Sequence, residues 1–83
     1  MRYVIFSKET CPFCTKAQTL LTEKNKTFKV VNFEAEQEQL LQEIKDAYDW
    51  PTVPMIFRVS DTANIDFVGG YTDLCKFLSE KET

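Results

Sequence analysis

The chain has 83 residues, a length that predicts a single domain over residues 1–83 with a small hydrophobic core. Its net charge of −3, without a basic stripe, argues against nucleic acid as a partner, and no apolar run approaches the ~20 residues of a membrane span. The start has no signal-peptide pattern and the number of cysteines, three, is odd, so we expect a cytoplasmic protein in a reducing compartment.

The first half of the chain predicts a strand, a helix and a second strand. A strand is predicted over residues 2–7, because residues 3–6 form a near-continuous apolar run of the kind that suits a strand covered on both faces. A helix is predicted from residue 12 to about residue 24. A second strand, rich in β-branched and aromatic residues, is predicted over 28–33. A crossover of this length implies that the two strands lie parallel.

The second half predicts a helix, a hairpin and a last helix. Residues 36–48 carry one apolar stripe, and their acidic face is interpreted as solvated surface. Two short strands, 55–59 and 65–68, flank a cluster of turn residues and predict an antiparallel hairpin. A final helix is predicted over residues 71–81. The order βαβαββα predicts an α/β fold, with a four-stranded mixed sheet flanked by three helices.

Two cysteines, Cys11 and Cys14, lie at the turn between the first strand and the first helix. Pro12 suits the first position of a helix, where its missing N–H is not needed. Cys11 is then the N-cap, and its sulfur faces free N–H groups that favour a negative charge. We therefore expect a lowered pKa for the Cys11 thiol, which makes it the nucleophile. Cys14, one helical turn later, is predicted to be the less exposed, resolving thiol.

Other interpretations of the cysteine pair are weaker. A structural zinc site needs four ligands, but the chain has three cysteines and no histidine, so we expect no metal. A purely structural disulfide is disfavoured because closing so short a loop removes little chain entropy, about 2 kcal/mol. Cys75 is interpreted as a partly buried small hydrophobe. The pattern favours thiol–disulfide exchange, and two cysteines at a helix start disfavour a non-catalytic interaction domain.

The chain resembles the glutaredoxins, a family with the thioredoxin fold, over essentially its whole length. The resemblance rests on Lys-Glu-Thr-Cys-Pro-Phe-Cys at 8–14, Thr-Val-Pro at 52–54 and Gly-Gly-Tyr-Thr-Asp-Leu at 69–74. Thioredoxins, in contrast, typically carry Cys-Gly-Pro-Cys with a preceding tryptophan. The resemblance is to the dithiol class, and it implies a thioredoxin-like fold with Cys11 as the catalytic nucleophile and Cys14 as the resolving cysteine.

The resemblance implies a glutathione-dependent thiol–disulfide oxidoreductase, with glutathione as co-substrate. Cys11 would attack a protein–glutathione mixed disulfide and become glutathionylated, and a second glutathione would regenerate it. In the dithiol route, Cys14 would attack a Cys11–protein disulfide and close the internal disulfide, which glutathione reduces. The implied partners are glutathione and disulfide-containing or glutathionylated proteins, with ribonucleotide reductase as one candidate. We expect a monomer.

The resemblance also implies a groove for glutathione beside the cysteines. Sequence alone favours a trans proline at the start of a strand, but Pro54 matches the family's cis-proline, and the family match reverses that expectation. The backbone of Val53 is then free to pair with glutathione as it would with an added strand. Phe13 and Thr52 are expected to line this groove.

The start of the last helix is the expected site for the γ-glutamyl group of glutathione. Gly69 and Gly70 precede it, and a helix N-terminus is a ready anion site, so the carboxylate is expected at Thr72 and Asp73. Asp73 is also expected to pair with the ammonium, although it fits equally an ordinary first-turn acid. Lys8 is expected to meet the glycyl carboxylate, although its spacing alone fits a plain surface lysine.

One segment departs from the dithiol pattern and leaves an alternative function open. Trp-Pro-Thr at 50–52 is more typical of monothiol glutaredoxins, which act mainly as iron–sulfur cluster carriers. The alternative is a dimer that holds a [2Fe–2S] cluster through one Cys11 per subunit and two glutathiones. The second cysteine and the rigid Pro12 disfavour it. A further alternative is a thioredoxin-like electron donor to a reductase such as ribonucleotide reductase.

Overall fold

The computed structural model of the protein describes residues 2–81. Its elements follow the predicted order, and their bounds are β1 Arg2–Lys8, α1 Pro12–Glu23, β2 Thr27–Phe33, α2 Glu38–Ala47, β3 Met55–Val59, β4 Ile65–Gly69 and α3 Tyr71–Lys81. Among the described residues, no helix has the length and apolar character needed to cross a bilayer.

The four strands form one mixed sheet in the order β2-β1-β3-β4. β1 runs parallel to β2, as the crossover length predicts, with Ile5 paired to Val30. β1 is antiparallel to β3, and β3 is antiparallel to β4, with a register shift between Ile56 and Phe57. The prediction of a four-stranded mixed sheet with three helices is confirmed. β1 is a central strand with β2 and β3 on either side, so the turn that follows it begins at a strand that is hydrogen-bonded along both edges.

The second helix begins later than its sequence predicts. Residues Ala35–Gln37 form a 3₁₀ turn, and the α-helix starts only at Glu38. Glu34 and Gln37 explain the difference, because the Gln37 side chain accepts a hydrogen bond from the Glu34 N–H at 3.1 Å while the Glu34 side chain caps the turn in return. This reciprocal capping box fixes the tighter turn before the α-helix begins.

One face of the sheet is covered by α1 and α3. Tyr3 and Ile5 of β1 point to this face, and both are fully buried. They pack with residues from both helices and from β3, and the buried members of this cluster are Tyr3, Ile5, Ala17, Leu21, Ile56, Leu74 and Leu78. Burial of this kind is the main favourable contribution to folding. The two helices of this layer begin at the two places of interest: α1 starts at the cysteine motif, and α3 starts after the turn at Gly69 and Gly70.

The other face is covered by α2 alone and is rich in aromatic rings. Phe57 is almost fully buried there, and its ring centroid lies 5.0 Å from that of Phe6, 5.2 Å from that of Tyr48 and 5.1 Å from that of Phe67. Tilted and edge-on ring pairs at such distances are favourable beyond their buried area. Large rings thus fill the space that a second helix fills on the opposite face, and they extend to the loop after α2.

Candidate active site

Cys11 is the N-cap of α1, as its sequence setting predicts. Its backbone is extended, with φ −126° and ψ 96°, and Pro12 occupies the start of the helix. The Cys14 N–H lies 3.2 Å from the Cys11 sulfur and donates a hydrogen bond to it. A backbone donor at this place stabilises a negative sulfur, together with the positive end of the helix dipole. The local geometry therefore favours the thiolate form of Cys11.

The two cysteines of the motif form a disulfide with each other. Their Cα atoms are 5.2 Å apart, and the bond closes within the first turn of α1. Cys14 is 2% exposed, whereas Cys11 is only partly buried. An incoming thiol therefore reaches Cys11 more readily than Cys14. This difference in exposure matches the roles of attacking and resolving cysteine. Cys75 is free and partly buried.

The turn before Cys11 holds an unusual backbone conformation. Thr10 has φ 60°, a left-handed value that β-branched residues rarely adopt. Conformations of this kind tend to occur at functional sites, where the surrounding structure holds them in place. Here Thr10 connects the central strand β1 to the N-cap. Its conformation therefore sets the direction in which the chain delivers Cys11 to the helix.

A groove of about 210 Å³ runs beside the cysteine motif. The structure brings together in it most of the residues that were expected to bind glutathione, although they come from three distant segments. Its lining residues are Phe13, Trp50, Thr52, Val53, Pro54, Gly70, Tyr71, Thr72 and Asp73. The Val53–Pro54 peptide bond is cis, as the resemblance implies. Within residues 2–81, no backbone hydrogen bond to Val53 is present, so its N–H and C=O can pair with a ligand.

The Gly-Gly turn and Asp73 together shape the start of α3. An Asp73 carboxylate oxygen accepts a hydrogen bond from the Gly70 N–H at 3.0 Å. Gly69 has φ +120°, and a Cβ there would lie 2.7 Å from the same oxygen, so only glycine fits. The first N–H groups of a helix have no partner within the helix. Those of Thr72 and Asp73 therefore remain available to an anion in the groove.

Lys8 lies outside this groove. It lines a neighbouring cavity of about 450 Å³ on the other side of the motif, together with both cysteines. Its Nζ atom lies 3.3 Å from the Glu38 carboxylate, and both side chains are substantially exposed. An exposed ion pair of this kind contributes little, about 0–1 kcal/mol. A ligand carboxylate can therefore compete with Glu38 for the Lys8 ammonium, and the role expected of Lys8 stays a prediction.

Two groove residues, Trp50 and Tyr71, were missed by the sequence analysis as lining residues. The ring centroids of Phe13 and Tyr71 are 6.1 Å apart, and the Lys16 ammonium lies 4.9 Å from the Phe13 ring. The Cys75 side chain raises the pKa of Tyr71, first as a hydrogen-bond partner and then through the negative charge of its thiolate. The only available signal was position, since Tyr71 lies between Gly70 and Thr72, and Trp50 lies two residues before Thr52.

Metal-binding groups were searched for over the part of the chain that the structure describes. There, no cluster of three or more histidine, cysteine, aspartate or glutamate residues is placed to hold a metal ion. The cysteine pair and its adjoining groove place a sulfur nucleophile beside a cleft that contains free backbone N–H groups.

Comparison with known proteins identifies the family. A sequence profile described as glutaredoxin matches residues 3–61. This chain belongs to the glutaredoxin family. The curated mitochondrial glutaredoxin-2 of Bos taurus is 36% identical to this glutaredoxin over 79 residues, which cover 93% of this chain and 47% of that protein. The chain thus spans about half the length of the curated relatives it matches.

Solved structures agree with the thioredoxin-like fold. The dithiolic glutaredoxin of Trypanosoma brucei brucei is 40% identical, with a TM-score of 0.74 over 95% of this chain and 78% of that chain. A buckwheat glutaredoxin–glutathione complex has a TM-score of 0.79 over 94% of this chain and 68% of that chain; at 18% identity it shows the fold alone. The Cys11–Cys14 pair of this glutaredoxin fits the dithiol class.

Proposed function

We propose that this glutaredoxin is a glutathione-dependent thiol–disulfide oxidoreductase that reduces protein disulfides and protein–glutathione mixed disulfides. The observation that carries the proposal is the position of the Cys11–Cys14 disulfide next to a groove lined by cis-Pro54 and the start of α3. The buckwheat protein of the same fold forms a complex with glutathione. We propose the same ligand class here, bound in this groove.

The groove offers partners for the γ-glutamyl end and for the peptide of glutathione, whereas the glycyl carboxylate is assigned to Lys8, which lies outside the groove. The γ-glutamyl carboxylate binds the free N–H groups of Thr72 and Asp73, where the helix dipole favours an anion. The Asp73 carboxylate pairs with the ammonium while it still accepts the hydrogen bond from the Gly70 N–H. The backbone of Val53 pairs with the peptide of the ligand as in strand addition. The thiol of the bound glutathione then points towards Cys11.

Reduction of a mixed disulfide proceeds in two exchanges. The Cys11 thiolate attacks the glutathione sulfur, so a Cys11–glutathione disulfide forms and the protein thiolate leaves and takes up a proton. The thiolate of a second glutathione then attacks the glutathione sulfur on Cys11. Oxidised glutathione leaves, and the Cys11 thiolate returns, stabilised by the Cys14 N–H. Cys14 is not consumed on this route.

Reduction of a protein disulfide uses both cysteines. Cys11 first forms a mixed disulfide with the protein, and the second protein thiolate leaves. Cys14, deprotonated, attacks the Cys11 sulfur, which releases the reduced protein and forms the disulfide seen in the structure. Two glutathione molecules then reduce this disulfide and leave as oxidised glutathione. The shielding of Cys14 ensures that the first attack comes from Cys11.

The test is glutathione-dependent reduction of a small glutathione mixed disulfide, coupled to glutathione reductase. We expect activity in the wild type, none in Cys11→Ser, and most of it in Cys14→Ser. Loss of activity in Cys14→Ser but not in Cys11→Ser would contradict the assigned roles. An inactive wild type would favour the alternatives, a [2Fe–2S] carrier or a donor reduced by another system. An absorbance spectrum of anaerobically prepared protein distinguishes between these two.

The wider setting of the activity also stays a proposal. We propose a monomeric, cytoplasmic enzyme whose protein substrates include disulfide-containing or glutathionylated proteins, with ribonucleotide reductase as one candidate. The curated relatives carry a mitochondrial name, so a fractionation experiment with the native protein decides the compartment. Trapping with Cys14→Ser, which cannot resolve a mixed disulfide, identifies the protein partners.

A further inference from the structure

Trp50 is the single tryptophan of the chain, and it forms part of the groove without a role in the proposed reaction. It follows Asp49, which lies two residues after the end of α2 and has a left-handed φ of 52°. The Trp50 backbone N–H donates to the Lys45 carbonyl at 2.8 Å, so its backbone is tied to the last turn of α2. From there the indole ring reaches the groove.

The indole ring links the sheet to the start of α3. It packs edge-on against Phe67 of β4, with a centroid distance of 5.3 Å. Its Cζ2 atom lies 3.6 Å from the position that a Cβ on Gly70 would take, and Gly70 donates to the Asp73 carboxylate. The ring therefore backs the part of the groove to which the γ-glutamyl carboxylate and ammonium are assigned.

Packing holds this ring in place. The Trp50 Nε1 atom is buried and has no hydrogen-bond partner among residues 2–81. Leaving a buried donor unpaired is unfavourable, so the indole nitrogen does not stabilise the ring in this position. The edge-on packing of its ring against Phe67 does account for it, and the ring lies beside Gly70, where an added Cβ would be 3.6 Å from Cζ2. The shape of the ring is thus what matters to the groove.

We propose that Trp50 is a positioning residue that sets the shape of the γ-glutamyl end of the groove and so governs affinity for the glutathione group. The inference rests on the proposed function and extends it to a residue outside the reacting atoms. Cys11 is positioned by β1 and α1, whereas Trp50 lies in the loop after α2. Loss of the ring should therefore weaken binding and leave the sulfur chemistry unchanged.

The experiment compares Trp50→Leu and Trp50→Phe with the wild type on two mixed disulfides. One carries glutathione, and the other carries cysteinylglycine, which lacks the γ-glutamyl group. For Trp50→Leu we expect KM for the glutathione disulfide to rise about tenfold with kcat within about twofold. The kcat/KM for the cysteinylglycine disulfide should change by less than about twofold. Trp50→Phe keeps part of the ring and should fall between wild type and Trp50→Leu.

Phe77→Leu is the matched control for general destabilisation. Phe77 is a partly buried ring of α3 that packs edge-on against Tyr3, away from the groove. This variant should keep the wild-type KM. The inference is overturned if the wild type is active and Trp50→Leu has the KM of Phe77→Leu, if kcat falls instead of KM rising, if both disulfides are affected equally, or if Trp50→Phe is no better than Trp50→Leu. An inactive wild type would overturn the proposed function and this inference with it.

Discussion

Gly69 and Gly70 are adjacent in sequence, but a Cβ is excluded at position 69 and accommodated at position 70. An alanine at position 69 would have φ +120°, which is unfavourable for any residue with a Cβ. Its Cβ would lie 2.7–2.8 Å from three side-chain atoms of Asp73. An alanine at position 70 would meet only ordinary contacts, at 3.6 Å from the Trp50 ring and 3.7 Å from the Pro54 carbonyl oxygen. The pair is therefore an internally controlled perturbation.

The expected magnitude follows from these contacts. The unfavourable φ costs about 1–3 kcal/mol. Asp73 must also turn away, which removes its hydrogen bond to Gly70 and costs about 0.5–1.5 kcal/mol. Both variants gain a similar small stabilisation, because alanine restricts the unfolded chain. We therefore expect Gly69→Ala to be about 2–4 kcal/mol less stable than Gly70→Ala.

Urea unfolding followed by circular dichroism measures the difference directly. In a domain of this size, 2–4 kcal/mol is a large share of a total stability of roughly 5–15 kcal/mol, so the midpoint should shift clearly. Equal midpoints for the two variants would refute the conformation assigned to Gly69 and the close contact with Asp73. Gly70→Ala serves as the control, because it adds the same methyl group one residue away.

The remaining predictions concern the aromatic layer and Tyr71. Phe57→Ala should lower the free energy of unfolding by about 3–5 kcal/mol, because the ring is buried among three others; a loss below about 1 kcal/mol would contradict this packing. Cys75→Ala should return the pKa of Tyr71 towards its ordinary value, measured by ultraviolet titration against Tyr71→Phe. Because a raised pKa favours the neutral phenol in the folded state, the contribution of Tyr71 to the free energy of unfolding is fully present below its ordinary pKa and is lost as the pH rises through the raised pKa. An unchanged Tyr71 pKa in Cys75→Ala would contradict the assigned cause.

Features that depend on local patterns were predictable from the sequence. The apolar run of β1, the turn cluster before β4 and Pro12 after Cys11 each carry their own structural preference, and the order of the elements along the chain and the N-cap follow from such preferences. The gathering of three distant segments into one groove was expected only through the family resemblance. That these residues bind glutathione stays a prediction.

Features that depend on long-range packing were not predictable. The pairing of Lys8 with Glu38 joins residues 30 positions apart, the last residue of β1 and the first residue of α2. The Trp50 ring lines the groove where it packs against Phe67 of β4 and lies beside Gly70, residues that are distant from it in sequence. The left-handed φ of Thr10 has no signal in its residue type, since threonine disfavours that conformation.

The two sides of the site differ in how firmly the sheet holds them: the Cys11 side follows the central strand β1, and the other side follows the edge strand β4 and the loop after α2. β1 is paired on both sides, so its amide protons should exchange with solvent only when the whole molecule unfolds. The opposite wall of the groove comes from the loop after α2 and from the turn that leaves the edge strand β4, which can open locally at lower free energy. We therefore expect the nucleophile to keep its position while the opposite wall opens locally, which under the proposed function would let one cysteine meet disulfides on proteins of different shape.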